Sequence, residues 1–208
     1  MYALLASRHE NMDAIDTAIN AAFGDRLLSR AASLYDTERF EPFSPALKRA
    51  SALVRRKDTG ELFEVSKGAP EVMCSLTGIN RDTADSAHST IEERSKRGFK
   101  TLCVCVALEE TNQEKCWRMV GILSIMDPPR HDTKATIDKA LELGVAVKMI
   151  TGDHLLIAQE VARKLGLGHN IFGSSVWLSD AATADSVDGL GELAELADGF
   201  SSVKPKHK

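Results

Sequence analysis

The apolar positions of this 208-residue chain change period several times, and each change marks a new element. Over residues 9–23, Met12, Ile15, Ile19 and Phe23 recur three and four apart, which predicts an amphipathic helix ended by Gly24. Asp13 and Asp16, three apart, share another face, which by periodicity alone reads as a solvated outer surface. Residues 27–35 predict a further helical turn or two. Pro42 and Pro45 then break helix, and Ala52-Leu53-Val54 and Phe63-Glu64-Val65 read as extended segments. Asp58-Thr59-Gly60 between them is turn chemistry, so an antiparallel hairpin is predicted. Its second strand runs into Lys67-Gly68-Ala69-Pro70-Glu71. There Gly68 frees the backbone, Pro70 suits the first position of a helix and Glu71 favours its positive end. Lys67 is held at that strand exit, able to meet a ligand phosphate or to point into solvent.

Residues 83–97 form a polar helical pattern closed by Gly98, and residues 101–108 and 117–125 read as strands. Together these predict an α+β unit with a mainly antiparallel sheet, ending near Met126. Two prolines in Asp127-Pro128-Pro129-Arg130 stiffen a crossing to a second unit. From there helix and strand alternate. A helix over 133–143 turns Ile137, Ala140 and Leu141 inward, and Val145, Val147, Met149 and Ile150 predict a buried parallel strand. A helix from His154 carries Ile157, Val161 and Leu165 on one face, beside Ala158 and Ala162, and stops at Gly166. A weaker strand at 171–177, a helix near 190–196 and a strand near 200–203 follow, with an acidic mobile loop at 180–191. This is the alternation of a doubly wound α/β half-domain, making the chain α/β overall. Thr151-Gly152-Asp153, where strand turns into helix, exposes backbone N–H groups that can hold a phosphate. It is equally ordinary helix-entry chemistry with Asp153 as N-cap.

Composition narrows the class. An apolar fraction of 43%, a charged fraction of 27% and a net charge of -4 fit a globular protein and give no electrostatic case for nucleic acid or an anionic membrane. No run approaches the ~20 apolar residues that span a bilayer, and the N-terminus is not a signal peptide. Cys74, Cys103, Cys105 and Cys116 form no C-x-x-C pair and have no His at metal spacing, so no metal site is predicted. Cys103 and Cys105 alternate within an apolar strand pattern and read as small core residues in a reducing, cytosolic setting.

Five blocks then occur in one order: NMDAIDTAI at 11–19, PFSPALKR at 42–49, SKGAPEVM at 66–73, DPPRHDTKATI at 127–137 and VKMITGDHLLIA at 147–158. Over residues 11–208 the chain resembles the cytoplasmic catalytic part of P-type cation-transporting ATPases, and among them most the plasma-membrane proton pumps. The resemblance implies a nucleotide-binding domain, incomplete at its start, over 1–126. A partial haloacid-dehalogenase-like phosphorylation domain over 127–208 would follow it. It implies that Phe43 stacks on the adenine of ATP, that Lys48 and Lys67 line the same pocket and meet the triphosphate, and that Asp16, with Asp13, contacts the nucleotide. Lys100 would approach the phosphates where the family more often has Arg, and Arg130 would touch ATP as the domains close. Thr151, Gly152 and Asp153 would hold the transferred phosphoryl group. Lys208, in Pro205-Lys206-His207-Lys208, would neutralise an aspartyl phosphate.

Departures from the family pattern bear on activity. The phosphorylated Asp of a DKTGT segment and the Mg2+-binding GDGVND segment are not in the sequence, and neither are the ion-carrying membrane helices. Ser44 and Leu47 replace the usual Asn and Asp of the PFNPVDKR motif, and Lys206 replaces a Glu. The resemblance therefore implies a fragment of a plasma-membrane pump, itself cytoplasmic, whose partners are ATP with Mg2+ and the remaining pump. Such a fragment would bind ATP without turnover. Its phosphorylation half would lack a first strand and expose a sheet edge. Alternatives are a calcium or magnesium pump, a free-standing phosphatase of the same superfamily, or a nucleotide-binding regulatory module.

Overall fold

The computed structural model describes residues 1–8, 10, 13–79, 81–109, 115–176 and 187–204. It is mixed α/β and folds as two compact units: Met1–Ile91 with Thr101–Ile125, and Glu92–Lys100 with Met126–Lys208. No helix of the described residues is long and apolar enough to cross a membrane.

The first unit is built on a five-stranded sheet of β1 (Tyr35–Ser44), β2 (Arg49–Arg56), β3 (Leu62–Gly68), β4 (Lys100–Glu109) and β5 (Lys115–Ile125), in that order. The first four pair antiparallel, and the β2–β3 register sets Val54 opposite Phe63 and Ala50 opposite Lys67. Side chains alternate across a strand, so Ala52, Val54, Phe63, Val65 and Val106 share one face. Leu5 and Ala6, flanking the end of α1 (Tyr2–Leu5), and Ala31 of α2 (Ala14–Leu34) pack into the same cluster. Tyr2 and Tyr35 meet the Phe63 ring edge-on, at centroid distances of 6.1 and 5.7 Å. On the opposite face Met73 of α3 (Pro70–Thr77) packs on Cys103 and Cys105, and Ile91 of α4 (Arg81–Lys96) joins them. A sheet covered on both faces explains why β4 reads as a near-continuous apolar run.

Two expectations in this unit need correction. The helix predicted at residues 9–23 begins at Ala14 with Asp13 as its N-cap, and the starting residues His9 and Met12 lie outside the described residues. Its buried face is Asp16, Ile19, Asn20 and half-buried Phe23, while Ile15 is exposed. Asp16 is thus buried rather than solvated. At Gly24 the helix kinks through φ 70°, a left-handed value that suits glycine, and continues to Leu34. Residues 35–44 are the second correction: they form a strand, not the end of a helix and a break. Pro42 is tolerated because β1 is an edge strand and needs no donor on its outer side.

In the second unit β6 (Met149–Ile150), β8 (Gly199–Phe200) and β7 (Ile171–Phe172) form a parallel sheet in the order β6-β8-β7. The helix α6 (Leu155–Leu165) buries Ile157, Ala158, Ala162 and Leu165, and packs with Ile137 of α5 (Thr133–Glu142). The strand predicted from Val145 is reduced to two residues, and Val145 and Ile150 are each 55% exposed. Leu141, expected inward, is exposed too. Among the described residues β6 pairs with β8 alone and lies at the edge of the sheet. Residues 187–191, expected in a mobile loop, belong to α7 (Val187–Leu196); the rest of that loop within 180–186, and Trp177, lie outside the described residues.

Burial of Met73, Cys103 and Cys105 has a measurable outcome. All three are 0% exposed, and burial pushes both thiols up to about 12, leaving roughly one thiolate in ten thousand at pH 8. We expect a thiol reagent to label exposed Cys116 rapidly in the native chain while Cys103 and Cys105 react only on unfolding. Met73→Ala is expected to destabilise the first unit by about 2–5 kcal/mol and to speed labelling of those two thiols. Equal labelling rates for all four cysteines in the folded chain would contradict this packing.

Candidate functional site

A cavity of about 420 Å³ in the first unit opens between α2, the β1–β2 edge and the end of β3. Its wall is aromatic and its floor is charged. Phe40, Pro42 and Phe43 come from β1, Ala50 from β2, Lys67 and Gly68 from β3, and Asp13, Ile15 and Asp16 from the start of α2. Phe43 is 58% exposed at this site, an unusual position for a phenylalanine.

Local irregularity puts two aromatic rings on one wall. Strand alternation would send Phe40 and Phe43, three apart, to opposite faces. However, Glu41 pairs with Ser51 and Ser44 with Arg49, so β1 carries one residue more than β2 between those pairs. That bulge reverses the alternation and turns Phe43 to the side of Phe40. Gly68 is required where β3 leaves the cleft. A Cβ there would lie 2.6 Å from the Lys48 carbonyl oxygen and 2.7 Å from the Arg49 Cβ. Pro70 then opens α3 at its first turn with Glu71 beside it, as the sequence predicts.

The floor is a buried ion pair. Lys67 is 5% exposed and Asp16 6%, and the Lys67 ammonium donates to Asp16 Oδ1 and to Ser7 Oγ. Asp16 Oδ2 accepts the Arg8 backbone N–H at 2.9 Å, and the Ser7 hydroxyl donates to the Ala3 carbonyl at 2.8 Å. Burial lowers the Lys67 pKa, while the hydrogen bond and charge of Asp16 oppose that shift. Lys67 therefore does not point into solvent; two of its three donors are engaged within the fold. Asp13 caps α2, its Oδ1 accepting the N–H groups of Ile15 and Asp16 at 2.8 and 3.2 Å.

Asp16, Phe43 and Lys67 thus share one cleft. Lys48 does not line it: Lys48 is exposed in the β1–β2 turn at φ 50°, and its carbonyl accepts the Ala69 N–H. Lys100 belongs to the second unit, where its ammonium lies 2.9 Å from Asp153 and 4.0 Å from Asp127. Arg130 is exposed in the turn before α5. Thr151, Gly152 and Asp153 form the turn from β6 to α6. The Thr151 hydroxyl accepts the Asp153 N–H at 3.1 Å, and the Asp153 carbonyl accepts the Ser202 N–H at 2.8 Å. His154, not Asp153, is the N-cap, and it makes no side-chain cap bond; the Asp153 carboxylate pairs with Lys100. Lys208, with residues 205–207, lies outside the described residues. Among the described residues no three His, Cys, Asp or Glu side chains come together as a metal ion would need.

Sequence reasoning missed Phe40, Ser7 and Arg8. Parity held a usable signal for the floor, since Phe63, Val65 and Lys67 alternate onto one face, and Asp16, Ile19, Asn20 and Phe23 fall on one helical face. A scan of the sequence against models of known protein families finds none that matches.

Removing one partner of a buried pair leaves the other charge unpaired, so Asp16→Ala is expected to destabilise the first unit by about 3–5 kcal/mol. Replacing both, as Asp16→Leu with Lys67→Met, is expected to recover most of that loss. Denaturant unfolding of the two singles and the double checks this; additive losses would contradict a direct pair.

Proposed function

We propose that the first unit is a nucleotide-binding domain that takes ATP in the Phe43 cleft. In this reading the chain is the catalytic region of a P-type cation pump, of the proton-exporting kind. One observation carries the reading: Phe43, exposed in a concave site, stands over a floor that pairs Asp16 with Lys67, from segments 51 residues apart. An exposed aromatic face suits a purine, and the floor offers polar atoms to its edge. A cavity of about 420 Å³ is within the range of small-molecule sites.

The second unit supports the same reading by its own geometry. In this reading it is the partial haloacid-dehalogenase-like domain, its parallel sheet carrying the Thr151-Gly152-Asp153 turn at the end of β6. In the complete pump an aspartate attacks the γ-phosphoryl group of ATP to form an aspartyl phosphate, and domain motion drives the ion across the plasma membrane. Thr151, Gly152 and Asp153 are then the phosphoryl-holding turn and Lys100 its neighbouring cation. Lys208 then neutralises the phosphoenzyme. Without the DKTGT aspartate and the GDGVND carboxylates for Mg2+, this chain binds ATP and does not turn it over.

Calorimetric titration of the chain with ATP tests the reading. We expect weak, saturable binding that Phe43→Ala reduces roughly 5- to 150-fold, the loss of one stacked base. No acid-stable phosphoenzyme is expected from labelled ATP. Phe43→Ala binding as tightly as the wild type, or an acid-stable phosphoenzyme, would overturn it.

A further inference from the structure

We infer that Phe40 is a second base-contacting aromatic of the cleft, and that Arg8 is the positioning residue that holds its ring there. The inference rests on the reading of the cleft as a nucleotide site. Phe40 lines the cavity beside Phe43, and the bulge after Glu41 brings both rings to one wall. Phe40 is half-buried and packs against the core cluster under α1, so it is a fixed ring, unlike the exposed Phe43.

Arg8 covers one face of Phe40, its guanidinium carbon 4.8 Å from the ring centroid. A cation at this distance draws on the ring's electron density and leaves the remaining surface better suited to an electron-rich base. Arg8 is itself placed from below, since its backbone N–H donates to Asp16 Oδ2 in the cleft floor. An exposed pairing with Glu10 at 4.0 Å is too long and too wet to fix the side chain. The floor pair, the Arg8 backbone, the Arg8 guanidinium and the Phe40 ring are therefore one connected chain. In this arrangement Arg8 acts on the base through Phe40 and does not bind phosphate.

Affinities of the full chain for adenosine, ATP and inorganic triphosphate separate the possibilities. Phe40→Leu is expected to weaken adenosine and ATP by the same factor, about tenfold, whereas Phe40→Tyr, which keeps the ring, stays within twofold of the wild type. Arg8→Met is expected to weaken adenosine and ATP equally, about two- to fivefold, with triphosphate binding unchanged and Arg8→Lys restoring part of the loss. The retained affinity of Phe40→Tyr shows that the fold survives at that position. Phe40→Leu binding adenosine and ATP like the wild type, while Phe43→Ala does not, would overturn the role of Phe40 alone. Arg8→Met weakening ATP and triphosphate but not adenosine would make Arg8 a phosphate ligand and overturn its positioning role. A wild-type chain that bound neither adenosine nor ATP would overturn the nucleotide reading itself, and this inference with it.

Discussion

The ion pair between Asp16 and Lys67 is the constraint on which the first unit depends. Both side chains are nearly inaccessible, and either charge alone would be costly to bury. Their pairing lets an acid occupy the buried face of α2 and a lysine the apolar face of β3. It thereby fixes the helix against the strand. Ser7 and the Arg8 backbone complete the polar contacts of the pair and tie the segment after α1 to the same point. The cleft lies where this pair meets the β1 bulge and the close backbone approach at Gly68.

The second unit is organised by a different principle. Its short parallel strands are held by backbone pairing that extends beyond them, with Thr151 bonded to Phe200 and Val203 on both its amide and its carbonyl. Those two bonds anchor the start of the Thr151-Gly152-Asp153 turn to the end of β8 and the segment after it. Lys100 then neutralises Asp153, so the turn carries little net charge where α6 begins. The His154 N-cap of that helix makes no side-chain cap bond.

Much of this was legible in the residues. The β2–β3 hairpin, the Pro70 helix start, strand β4 with its two cysteines and the apolar face of α6 follow from period and punctuation. What escaped was set by tertiary partners. Strand β1 was hidden because Pro42 is compatible with an edge but not with a paired interior, and edge status is a property of the whole sheet. Burial of Asp16 could not be weighed without Lys67, which lies 51 residues away. Conversely, Val145 and Ile150 look like a buried strand by composition, yet both are exposed: Val145 lies outside β6, and Ile150 is on a strand that pairs with β8 alone among the described residues. Three site expectations converge on one cleft because elements that local pattern does predict carry them. Lys48 and Lys100 do not line it, since a turn and a strand end place them by their own local bonds.

A cleft that pairs its floor charges internally favours recognition of a neutral ring over recognition of phosphate. Amide chemical shifts of the full chain during titration test this preference most directly. With ATP, and equally with adenosine, the largest shifts are predicted at Ile15, Phe40, Phe43 and Gly68, while inorganic triphosphate leaves those four amides unmoved. Triphosphate alone reproducing the ATP pattern at these positions, or ATP moving none of them at saturation, would contradict it.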